Sequence, residues 1–280
     1  MASVKIAGHT AAARNTLFFM VPKNAVSVAL LIVVVAFGCS ASGVVALAES
    51  FDKPVRETVV DLGPSPYLMP RDRSRIQLYC DYYTDLMVKE LDDPGQKGTR
   101  WVTITPILNE QLPACRLSHG TNERFIAKGW FGFVGVKGSL LFLEAADGED
   151  GGLPFRILDS KTGKVIFEDS AALPYYGGPG FDFARTSEGG ISLKYLRVVH
   201  GDCSIPKDGL NCWGRFRQQF GLTLATVPTC TGYVGEQPDQ PVPLDDLQTP
   251  SAIQFPVKVK LFPRPSIQAA PGPVKCRPIE

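Results

Sequence analysis

The sequence predicts an all-β fold, an antiparallel sandwich or barrel carrying one short amphipathic helix and a proline-rich C-terminal tail. Three observations lead there. From Glu57 to Val199, short β-branched and aromatic segments alternate with turn clusters about every ten residues. Segments such as Arg75-Ile76-Gln77-Leu78-Tyr79-Cys80 and Arg100-Trp101-Val102-Thr103-Ile104-Thr105 alternate polar with apolar residues, so each is expected to bury one face. Helical spacing stands out at Trp213, Phe216 and Phe220, with Gly221 where a helix-ending residue belongs.

Ahead of this body lies a basic leader with Lys5, Arg14 and Lys23, then an uncharged run from Asn24 to Ala48 that ends Ala46-Leu47-Ala48. A positive region, an apolar stretch and a small-x-small site make up an export signal. Residues 1–48 are therefore expected to be a signal peptide, with Met20 as an alternative start, and the mature chain to begin at Glu49 in the periplasm or outside the cell. Two other readings of the leader are an uncleaved membrane anchor and a lipoprotein cut before Cys39. Gly38, Ser40, Ser42 and Gly43 interrupt the first, and Phe37 occupies the place where the second wants a small or β-branched residue.

Elements follow in order through residues 49–227, the expected β-rich domain. Asp92-Asp93-Pro94-Gly95-Gln96-Lys97-Gly98 is a loop between the first two alternating strands. Phe125 to Val136 reads as one long aromatic strand whose Trp130, Phe131 and Phe133 belong to the core, with Lys137-Gly138 turning into Ser139 to Glu144. Asp147 to Gly152 is an acidic, solvated loop that lacks the ligand spacing of a calcium-binding loop. Phe155 to Leu158 and Val165 to Glu168 form a hairpin across Asp159 to Lys164, where Gly163 supplies the left-handed position. Gly180 to Arg185 and Ile191 to Val199 are two further strands. In residues 228–280, which hold eleven of the 23 prolines, Thr231 to Pro250 reads as an extended linker and Ser251 to Phe262 as an edge strand.

Seven cysteines become six once Cys39 leaves with the signal, and an even number in an oxidising compartment reads as disulfides. Proximity pairs Cys203 with Cys212, Cys230 with Cys276 staples the tail, and Cys80 with Cys115 follows by elimination. On the chain-entropy account, the first of these bonds contributes roughly 2.5 to 3 kcal/mol and the tail staple about 4 kcal/mol.

Composition narrows the function. Residues 49–280 carry 26 Lys and Arg against 28 Asp and Glu, a net charge of −2, which offers no basic field for nucleic acid. After signal cleavage the chain holds no second apolar run of membrane length. No CxxC, HExxH, GxSxG or phosphate-binding loop occurs, so no cofactor or metal is expected. The sequence reading is a non-catalytic binding or structural module of the envelope or extracellular space, with a protein or glycan partner. Its expected contact loop is Tyr175-Tyr176, whose rings precede Gly177-Gly178-Pro179-Gly180. The alternative is an exported hydrolase whose base is His119 or His200.

Overall fold

The structure is a computed structural model that describes residues 50–69, 71–172, 180–186, 190–232 and 246–279. Signal, linker and tyrosine-loop assignments at 1–48, 233–245 and Tyr175-Tyr176 lie outside the described residues. The fold is all-β: two antiparallel sheets, with two helices among the described residues.

The first sheet is a five-stranded meander, β1 (Arg56–Pro64), β2 (Arg75–Tyr82), β3 (Leu86–Asp92), β4 (Thr99–Pro106) and β5 (Arg124–Gly129), paired in that order. The second contains β6 (Phe131–Lys137), β7 (Leu140–Ala145), β8 (Gly152–Asp159), β9 (Val165–Ala172), β11 (Ile191–His200), β12 (Ser251–Lys260) and β13 (Ser266–Ala269). β10 (Asp182–Arg185) adds to β11, and β14 (Lys275–Pro278) adds to β12. Alternation places the side chains. Leu141, Leu143 and Leu158 meet Val88, Val102 and Ile104 between the sheets, while Leu140, Phe142, Phe155 and Ile157 on the opposite face join the larger core with Phe255 and Trp213.

The β8–β9 hairpin forms as its turn residues dictate. Gly163 adopts φ 67°, the register shifts between Ile157 and Leu158, and Thr162 donates from both its amide and its hydroxyl to Asp159 Oδ1 at 2.7 Å. The expected helix is α2 (Leu210–Phe220), closed by left-handed Gly221, whose N–H reaches Arg217 O. Cys203–Cys212 ties the start of α2 to the end of β11, and a further short helix, α1 (Ile205–Asp208), occupies the ring read as loop. Cys80–Cys115 and Cys230–Cys276 are the other two bonds.

Four expectations are corrected. The long strand from Phe125 to Val136 breaks at Trp130, because Gly129 takes φ 73° and the chain crosses there from the first sheet to the second. As a result Trp130 is not core but 46% exposed, beneath the Lys97 ammonium, and Phe131 and Phe133 are half-buried. The strand at Arg75 buries one face, as its alternation indicates, with Leu78, Cys80 and Tyr82 buried, but the strand at Arg100 is covered on both. Val102 packs between the sheets, and on the other face Leu78, Cys80 and Trp101 lie in a separate cluster that also holds Ile107 and Cys115 from the loop after β4. Ser251–Lys260 is no edge strand: β12 pairs with β11 on one side and with β13 and β14 on the other. Pro256 is tolerated because its carbonyl still accepts from Ala270 N at 2.8 Å, while its missing N–H falls where one bond is omitted. Finally, Asp150 in the acidic loop is buried rather than solvated, at φ 51°, with Oδ2 2.8 Å from His200 Nε2.

The β1–β2 pair carries a like-charge contact. Glu57 lies directly opposite Asp81, and burial, with Glu57 adding to it, pushes the Asp81 carboxyl up to about 6. A folded-state value above the unfolded one means the ionised carboxylate works against folding, so stability is gained as pH falls through about 6 towards 4. Asp81→Asn is therefore expected to raise stability at pH 7.5 by about 1 to 2 kcal/mol, after discounting for solvent at this partly exposed site. By pH 4 the gain should vanish. Urea unfolding at the two pH values measures it, and an equal difference at both would remove the electrostatic explanation.

Candidate functional site

The chain leaves β4 at Pro106, crosses the outer face of the first sheet and returns at Arg124. Two devices hold this loop down. Cys115 is bonded to Cys80 of β2, and the ammonium of Lys89, on β3, reaches the loop from beneath. Lys89 Nζ donates to Arg116 O at 3.0 Å, Ser118 O at 3.2 Å and Glu123 Oε2 at 3.0 Å, with side-chain exposures of 1% for Lys89 and 3% for Glu123. A lysine on an apolar strand is buried here because all its protons find acceptors.

Glu123 collects the donors. Thr103 Oγ1 gives to Oε1 at 2.5 Å, Gly120 N to Oε2 at 2.9 Å, and His119 Nδ1 lies 2.8 Å from Oε1. Burial pushes this carboxyl upward, but hydrogen bonds from Lys89, Thr103, His119 and Gly120 outweigh it and hold the value down to about 2. An ionised carboxylate can only accept, so Nδ1 of His119 donates in this contact.

Around this imidazole stand two more rings. His119 is 5.0 Å from Trp101 and 4.7 Å from Phe125 between centroids, and Trp101 is 6.2 Å from Phe125. All three are inclined to one another rather than stacked flat. Lys89 Nζ sits 5.4 Å from the Trp101 centroid and Lys128 Nζ 4.9 Å from that of Phe125. Phe125 remains 47% exposed and the His119 side chain 38%. The result is an aromatic shelf at the rim of the first sheet, on its last strand β5, with a fixed polar base beneath.

His200, the other histidine named by the sequence, is on β11 of the second sheet, and its carboxylate partner is Asp150. Both imidazoles are thus oriented by a carboxylate, as a hydrolytic base requires. Among the described residues neither has a hydroxyl or thiol in hydrogen-bond reach, and Ser118, beside His119 in sequence, contributes its carbonyl to Lys89. A hollow of about 160 Å³ at the end of β3 and β4, lined by Leu86, Ile104, Arg124, Ser160 and Lys161, includes neither histidine. No group of three or more His, Cys, Asp or Glu among the described residues could hold a metal ion.

Sequence reading named His119 and missed Trp101, Glu123, Phe125 and the lysines around them. The spacing of His119 and Glu123, four residues apart, was one available signal, and Lys89 within Leu86-Met87-Val88-Lys89-Glu90-Leu91 was another. Comparison with protein-family models, with curated proteins and with solved structures finds no match to this chain.

Proposed function

We propose that the chain is exported and that its disulfide-stabilised β domain is a non-catalytic binding module of the cell envelope or extracellular space, working through the Trp101–His119–Phe125 shelf. The leader motif and three disulfides support export, since such bonds persist in oxidising compartments. No helix among the described residues is long and apolar enough to cross a membrane. The observation that carries the binding reading is the contrast within one small region: a fully satisfied, buried ion pair and a disulfide hold a loop rigid, and that loop presents partly exposed rings. Rigid aromatic surface is what recognition needs, because little entropy is lost when it is covered.

The hydrolase reading has one observation in its favour, the carboxylate beside each imidazole. It also requires a nucleophile brought to His119 or His200 from elsewhere.

The test is a pull-down of residues 49–280 from the native envelope, with bound glycans and proteins identified, beside the Phe125→Ala variant. Because Phe125 is half in solvent, the variant should melt within a few degrees of the parent while retaining less than a tenth of the bound material. Equal capture by a folded Phe125→Ala protein would overturn the assignment of the shelf.

A further inference from the structure

Within the binding reading above, on which this inference rests, the ligand class can be narrowed by size, charge and hydrogen-bonding character. Three partly exposed side chains form a far smaller surface than the roughly 800 Å² that a protein partner commonly covers on each side. So small a surface suits a repeating ligand of ring-sized units. Position points the same way, because β5, which carries Phe125, is the last strand of its sheet.

Charge is inverted locally. Residues 49–280 are net acidic, yet at the shelf the one carboxylate, Glu123, is buried and neutralised by Lys89, whereas Lys128 and Arg116 are exposed and form no ion pair with any described residue. The Lys128 ammonium hangs over the Phe125 ring, so a group lying on that ring would place an anion beside it. Polar atoms complete the set: Nε2 of His119 and the Trp101 indole N–H have no hydrogen-bond partner among the described residues.

We infer that the shelf binds an acidic polysaccharide, a chain of sugar rings bearing carboxylates. One ring face lies against Phe125 and Trp101, a hydroxyl hydrogen-bonds with His119 Nε2, and the carboxylate pairs with Lys128. A sugar ring offers an apolar C–H face and a polar edge, which is the pattern the shelf presents in reverse. Binding of this kind falls with salt through its ionic part and keeps a salt-resistant part from the rings.

The experiment is affinity electrophoresis of residues 49–280 in gels containing polygalacturonate or, as neutral control, dextran, with the parent, Phe125→Ala, Lys128→Gln and His119→Gln proteins. Circular dichroism melts establish that each variant is folded. The parent should be retarded by polygalacturonate at least tenfold more strongly than by dextran. Phe125→Ala should lose at least nine-tenths of that retardation, and Lys128→Gln should lose most of the preference for the acidic polymer. Equal retardation by both polymers, with Phe125→Ala abolishing each, would overturn the acidic ligand while leaving the shelf as a binding surface. Retardation unaffected by Phe125→Ala would overturn both. A parent that also binds polyuridylate and anionic vesicles as tightly as polygalacturonate would show a plain cation patch, which overturns the inference as well.

Discussion

Replacing Lys89 by methionine should destabilise the domain by about 3 to 5 kcal/mol, because it strands the Glu123 carboxylate in a site that is 97% closed to solvent and leaves Arg116 O and Ser118 O without their donor. Removing one partner of a buried pair costs far more than removing both. The double variant Lys89→Met/Glu123→Gln should accordingly recover part of the loss, though not all, since Thr103, His119 and Gly120 also address that carboxylate. Urea unfolding of the two single variants and the double one closes the cycle. A Lys89→Met protein within about 1 kcal/mol of the parent would mean that water reaches the pair and that the shelf is not rigidly supported. Ligand binding provides a separate reading of the same change, since loosening the 107–123 loop moves His119.

The second large effect is expected at Trp213. Its side chain is fully buried, its indole N–H reaches Leu224 O at 3.2 Å, and it packs beside Phe216 one turn further along α2. Trp213→Ala should cost about 3 to 5 kcal/mol through the lost apolar contact and the cavity left behind. Trp213→Phe keeps most of the volume but leaves Leu224 O unpaired, so it should cost about 1 to 2 kcal/mol. Thermal and urea denaturation of both variants give the comparison. Were alanine no worse than phenylalanine, α2 would not be packed as a core helix.

What the sequence revealed was mostly local. The Asp159 to Lys164 turn, the glycine at Gly163 and the helix of Trp213, Phe216 and Phe220 each depend on residues within a few positions of one another, and each forms as its pattern indicates. The shelf depends on distant pairings. Lys89 and Glu123 are 34 residues apart, and nothing in either neighbourhood shows that a loop will fold back across the sheet between them. The same blindness affected the strand at Arg100, where alternation records that one face is apolar but not that the other will be covered, whereas the strand at Arg75 buries one face as its pattern indicates. Proline density suggested a peripheral tail, and the 46-residue bridge from Cys230 to Cys276 was expected. The interior position of β12 was hidden because a strand tolerates proline when the ladder skips one bond. Tyr175 and Tyr176, the loop favoured by sequence for contact, lie outside the described residues, so the shelf is a different nomination rather than a refinement of that one.

Phe51 links the two ends of this account. Asp52 bridges to Val136 at the free side of β6, and the Phe51 ring enters a nest of Phe142, Phe181 and Phe183, passing so close to Gly135 that a Cβ there would lie 2.7 Å from it. The nest is assembled from chain made much later. At roughly 5 to 20 residues per second, about 7 to 26 seconds separate the synthesis of Phe51 from that of Phe183, and throughout that interval the first aromatic side chain of the domain has no socket. The meander from β1 to β5 can close on itself in the meantime. The domain is thus locked from its own beginning, with its first residues among the last to dock.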